Sequence, residues 1–142
     1  MDCIIFYFFI DEPILWFKDV IDELAIYERQ LCRDFILVLA NTGMRSGEAR
    51  FIKWNYVEIK KSVPSQDKRT NYPNVHIHIP VEISKVRKNR TAIGMRGDIF
   101  QRIKTYSNHA NSHDYVFANM DTGEAVSRKT LYRLWEIRRK ES

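Results

Sequence analysis

The chain has 142 residues, enough to bury one real core and too few for a large multi-part enzyme. Its hydrophobic share of 44% and charged share of 29% are those of an ordinary soluble globular chain. Lys and Arg outnumber Asp and Glu by 23 to 18, and the resulting charge of +5, concentrated after residue 45, permits a polyanionic partner without establishing one.

Cys3 and Cys32 have no metal-type spacing and no companions for a disulfide framework, which favours a reducing cytoplasm. The apolar run Cys3 to Ile10 is too short to span a bilayer. It also lacks the basic flank of a signal peptide. It reads as a buried lead-in over residues 1–10, or as the tail of something cut away, within a chain whose 142 residues form a single domain.

From Asp11 the pattern turns helical: Asp11 suits a cap, Pro13 a first turn, and Ile14, Phe17, Ile21 and Leu24 recur at helical spacing to about Tyr27. A second helix is expected from Glu28 to Asn41, apolar all round near its end and therefore enclosed. After a glycine turn, a short third helix is expected from Ser46 to Lys53.

Val57-Glu58-Ile59 reads as a short strand, and Lys61 to Asn74 has loop composition. Val75 to Ile79 alternates strictly, as a half-buried strand does, and the extended stretch should continue past Pro80 to Ile83. Proline cannot donate to a ladder, so this strand is expected at an edge or bulged there. Ser84 to Arg90 is a basic turn and Thr91-Ala92-Ile93 the returning strand, completing a three-stranded antiparallel sheet.

Asp98 to Tyr106 reads as a helix with Ile99, Ile103 and Tyr106 at core spacing. Tyr115-Val116-Phe117 is a buried extended piece, Asp121-Thr122-Gly123 a turn, and Ser127 the cap of a last helix using Leu131, Leu134 and Trp135. The fold class is α+β, mainly helical with a small antiparallel sheet.

The stretch with the clearest chemistry is Thr42-Gly43-Met44-Arg45-Ser46-Gly47-Glu48. A helix that ends, turns on a glycine and restarts beside an arginine offers a guanidinium and backbone N–H groups to a phosphate. About forty residues on, Lys85-Val86-Arg87-Lys88-Asn89-Arg90 sets four cations on a hairpin. An isolated Arg45–Glu48 pair would ordinarily be a solvated ion pair of roughly 0.2–0.5 kcal/mol, and a basic run on a turn a solvated charge cluster.

Together the two stretches point to function. Thr-Gly-x-Arg-x-x-Glu followed by Ile52 and Trp54 resembles the first catalytic box of the tyrosine recombinase, or phage integrase, family. Lys-x-x-Lys-x-Arg before an apolar strand is similar to that family's catalytic hairpin. The resemblance covers most of residues 11 to 139. It departs at Tyr56, where an Asp often follows the Trp, at Gly94, where a Pro commonly closes the third strand, and in the long loop Lys61 to Asn74.

The resemblance implies an integrase-like catalytic domain that cuts and rejoins double-stranded DNA through a phosphotyrosine link, without metal or nucleotide cofactor. It implies Arg45 bracing the scissile phosphate, Glu48 orienting that arginine, Lys85 as general acid, and Arg87, Lys88 and Arg90 as DNA contacts. Bidentate guanidinium groups suit phosphoryl transfer, which asks mainly for positioning and charge stabilisation. Trp54 is expected to pack. Partners would be duplex DNA and other recombinase protomers in a synaptic complex, in the cytoplasm, with no membrane involved.

The family's His-x-x-Arg box and nucleophilic tyrosine should follow the last helix. No histidine here has an arginine at the fourth place, and Tyr132 stands too early in the order to be the nucleophile. The family's separate DNA-binding domain, usually N-terminal, is also missing. The chain is therefore expected to be the N-terminal part of a catalytic domain, inactive alone; the alternative is a DNA-binding remnant or regulator that never cleaves. A rival from another class, a metal hydrolase using His76, His78, His109 and His113, has no carboxylate box beside it.

Overall fold

The computed structural model describes residues 22–61 and 72–141. The apolar run Cys3 to Ile10, residues 11–21 of the first expected helix and residues 62–71 of the expected loop lie outside the described residues. Among those described, four α-helices accompany one antiparallel sheet of three strands.

The first helix, α1, runs unbroken over Glu23–Thr42, so the expected boundary between two helices near Tyr27 does not exist. Tyr27, Leu31, Phe35 and Val38 form one continuous buried stripe across that point, and no glycine or proline interrupts them. Asp22 is the N-cap, its carboxylate accepting the Leu24 N–H at 3.2 Å. Gly43 closes the helix in the left-handed region at φ 69°, donating its N–H to Leu39 O at 3.0 Å.

The next helix, α2, covers only Ser46–Ala49 rather than extending to Lys53. Long-range pairing wins over local propensity there. Trp54 N–H donates to Asp114 O at 3.1 Å and Val116 N–H to Ile52 O at 3.0 Å, which draws Ile52 and Lys53 into extended backbone against Tyr115. A single 3-10 turn, Trp54–Tyr56, then leads into the sheet.

The strands are β1 (Val57–Lys60), β2 (Asn74–Ile79) and β3 (Arg90–Gly94), in the order β1-β2-β3. Register runs from Val57 opposite Ile77 to Lys60 opposite Asn74, and from Val75 opposite Gly94 to Ile79 opposite Arg90. The strand before Pro80 is thus central, not an edge, and it stops at Ile79 instead of continuing to Ile83. Pro80 follows the last paired residue, so the ladder loses no donor. Its carbonyl instead accepts the Ile83 and Ser84 N–H groups and starts the turn.

Val75, Ile77, Ile79 and Ala92 face inward, while Glu58, His78, Thr91 and Ile93 are exposed on the other face. The inner face packs on α1 and on α3 (Asp98–Tyr106), whose Ile99, Phe100 and Ile103 are buried. The extended residues Val116 and Phe117 are wholly enclosed, with the Phe117 ring 5.0 Å edge-to-face from Phe35. Gly123, at φ 74°, makes the turn before α4 (Arg128–Glu141). Ser127 caps that helix through a hydrogen bond from Thr130 N–H at 3.1 Å, as expected.

Candidate nucleic-acid interface

Arg45 is exposed at the N-cap of α2 with extended backbone, φ −78° and ψ 146°. The turn delivering it is built by Thr42, whose hydroxyl donates to Val38 O at 2.7 Å and accepts the Met44 N–H at 3.3 Å. Met44 is buried beside it, so the backbone on either side of the guanidinium is anchored. A helix of four residues has almost no macrodipole, so any hold on a phosphate here rests on the Arg45 side chain rather than on a helix end.

Glu48 does not orient Arg45. Its carboxylate, with a side chain only 3% exposed, is bonded by Arg90 through Nη2 at 2.8 and 2.9 Å and Nε at 3.2 Å. The pairing is bidentate, the geometry in which guanidinium and carboxylate hold each other's direction as well as charge. Arg90, expected as a phosphate contact, thus spends its fork on a buried acid 42 positions away, though its side chain stays 34% exposed.

A second tie lies at the other end of the same strand. Asn41 Oδ1 accepts the Met95 N–H at 2.7 Å and the Arg96 N–H at 3.2 Å. The helix end meets the strand end so closely that a Cβ on Gly94 would stand 2.8 Å from Asn41 Oδ1 and 2.9 Å from Thr42 Cγ2. Gly94 suits this approach, since any side chain there would push on Asn41 and Thr42. The segment Asn41–Glu48 is therefore pinned to β3 at both its ends.

Lys85 is exposed in the turn joining β2 to β3, as are Arg87 and Lys88. The turn is shaped by the Arg87 N–H donating to Ser84 O at 3.1 Å, by Arg87 at φ 54°, and by Asn89 Oδ1 accepting the Val81 N–H at 2.7 Å. Ser84, next to Lys85, is buried with its Oγ unbonded. Between the turn and the 3-10 segment opens a cleft of about 330 Å3, lined by Tyr56, His78, Pro80, Asn89, Arg90 and Thr91.

Trp54 packs, as expected. Its ring lies 6.4 Å from Phe100, its Nε1 donates to His109 O at 2.8 Å, and Lys104 stands 5.0 Å over it. The histidines are dispersed: His78 meets Glu58 and Thr91, His109 meets Met120 O. Among the described residues no three His, Cys, Asp or Glu side chains gather to hold a metal ion.

One charged centre escaped the sequence. Asp34, with no solvent exposure, accepts hydrogen bonds from Arg33, from Arg102 and from the Tyr106 hydroxyl at 2.7 Å, joining α1 to α3. Burial, and then the Asp34 carboxylate, push the Tyr106 hydroxyl well above its ordinary range. The signal was available: an acid inside the apolar run Leu31 to Leu39 requires partners.

No protein-family model, curated protein or solved structure matches the chain. Among the described residues no helix is long and apolar enough to cross a membrane.

Proposed function

We propose that this chain is the N-terminal part of a tyrosine recombinase catalytic domain, acting on double-stranded DNA in site-specific recombination or integration. The observation that carries the reading is the double tie of β3 to the segment Asn41–Glu48. It sets the turn bearing Arg45 and the hairpin bearing Lys85 on one rigid unit, although the two lie far apart in sequence.

In this reading Arg45 braces the non-bridging oxygens of the scissile phosphate. A tyrosine hydroxyl supplied beyond these elements gives its proton to water and forms the new P–O bond as the bond to the 5′ oxygen breaks. The Lys85 ammonium gives that oxygen its proton. Arg87 and Lys88 hold flanking phosphates through charge, and no metal or nucleotide takes part. Other protomers of the full-length enzyme would complete the synaptic complex. The setting is the cytoplasm, on DNA.

A second reading is a DNA-binding remnant or regulator that never cleaves, using the same exposed charge of Arg87 and Lys88. Both readings require duplex binding. Titrating a fluorescent duplex with the chain from 50 to 200 mM salt should show affinity falling steeply with salt (about 50 and 200 mM spanning the useful range). Lys88→Ala should reduce the slope of log K against log salt by about 0.9. Salt-independent binding, or none at the lowest salt, would remove both.

A further inference from the structure

We infer that Arg90 is a positioning residue and not a phosphate contact: locked to buried Glu48, it is the fixed root from which the Lys85 turn reaches the DNA. The inference rests on the recombinase reading for what Lys85 does, but its structural core stands on the ion pair alone.

The hairpin divides into two mechanical parts. At its root, Ile79 pairs with Arg90 as the last rung of the ladder, and the Arg90 fork holds a carboxylate that has almost no other access to water. A guanidinium in a bidentate bond has its direction set, and withdrawing it toward a phosphate would strand a buried charge. Beyond the root, the turn carries the departures from relaxed geometry: Arg87 lies at positive φ and Ser84 hides an unbonded hydroxyl. Lys85, Val86, Arg87 and Lys88 are all exposed. The arrangement is a tied base under an exposed, charged tip.

This division also accounts for the two arginines of the hairpin having different environments. Arg87 is exposed on the turn, whereas Arg90 opens β3 at the edge of the cleft formed with Tyr56 and His78. Charge on Arg87 and Lys88 is therefore available to a polyanion, while that on Arg90 is already matched by Glu48. Glu48 acts on DNA only through the hairpin, and not through Arg45.

The test combines amide hydrogen exchange on the free chain with duplex titrations across salt. Glu48→Gln and Arg90→Gln should each speed exchange over Arg90 to Ala92 by about tenfold or more, leaving α3 unchanged, since local opening follows loss of local contacts. Each should weaken duplex binding with the salt slope intact, whereas Lys88→Gln should lower the slope by about 0.9 and leave exchange alone. Arg90→Lys, which keeps one bond to Glu48, should recover part of the protection. Should Glu48→Gln fail to fold, the two Arg90 variants carry the test, because that side chain is partly exposed.

Unchanged exchange in the variants overturns the positioning role whatever the DNA result. A slope lowered by about 0.9 in Arg90→Gln makes Arg90 a phosphate contact after all. Absence of duplex binding by the unaltered chain defeats the recombinase reading, while the exchange rates still decide the root.

Discussion

Replacing Asp34 by Asn tests how the helical floor beneath the candidate interface is held. The carboxylate is fully buried and receives Arg33, Arg102 and the Tyr106 hydroxyl. An amide of the same shape keeps some hydrogen bonds but removes the charge that compensates Arg33, whose side chain is only 10% exposed. Removing one charge from a buried, hydrogen-bonded ion cluster costs about 3–5 kcal/mol, because the buried guanidinium loses a carboxylate that met it. Domains of this size have about 5–15 kcal/mol in total, so the variant would lose a fifth or more.

At roughly 3–4 °C per kcal/mol, the melting temperature should fall by about 10–20 °C, read by circular dichroism and checked by urea titration. Arg102→Ala is the internal control. Its side chain is 37% exposed and leaves Asp34 with Arg33 and Tyr106, so it should cost only about 1–2 kcal/mol. If Asp34→Asn lies within about 1 kcal/mol of the unaltered chain, the cluster is not what joins α1 to α3.

Gly43→Ala should destabilise by about 1–2 kcal/mol through backbone strain alone. The position sits at φ 69° and nothing lies within 4 Å of the added Cβ, so Gly43→Asn should recover part of the loss in the same melt. Ser84→Ala should be neutral or stabilising by up to about 1 kcal/mol, since it deletes a buried hydroxyl without a partner; a loss above about 1 kcal/mol would mean the hydroxyl is bonded. Burial pushes the Cys32 thiol up to about 12, so peptide mapping after alkylation at pH 8 should find Cys32 unmodified in the folded chain and modified in urea. Tyr106 is raised as well, and groups raised on folding give stability that is present below their ordinary values and lost as pH climbs through the folded ones. Urea midpoints should hold near neutrality and fall above about pH 9; a flat profile to pH 11 would contradict the burial of both groups.

What the sequence made legible was what depends on short-range pattern. Strict alternation at Val75 to Ile79, the basic turn, the amphipathic stretch Asp98 to Tyr106 and the Ser127 cap each reappear in place. Most of the failures involve a partner distant in the chain; the helix boundary expected near Tyr27 and the strand end at Ile79 are the local ones. Nothing local forbids a helix at Ile52 and Lys53, and only the segment around Tyr115 draws them straight.

The site failed the same way. Spacing of three on a helix suggested that Glu48 faces Arg45, but the acid faces inward, where β3 brings Arg90. The Asn41 tie and the fit of glycine at position 94 likewise arise only when helix end and strand end meet. Arg45, Lys85, Arg87 and Lys88 were placed on exposed turns by glycine and charge alone, and the structure has them on exposed turns. Their chemistry is a separate matter from their placement.

Covalent capture addresses that chemistry most directly. The protein expressed from its complete reading frame would be incubated with a nicked duplex whose cleaved strand end diffuses away, and the products separated in denaturant. The account predicts a stable adduct through a 3′-phosphotyrosyl bond, abolished by Arg45→Ala. Lys85→Ala should slow it, and a 5′-bridging sulfur, a leaving group that needs no proton, should restore the rate. An adduct indifferent to Arg45→Ala, or no adduct with any such duplex, would contradict it.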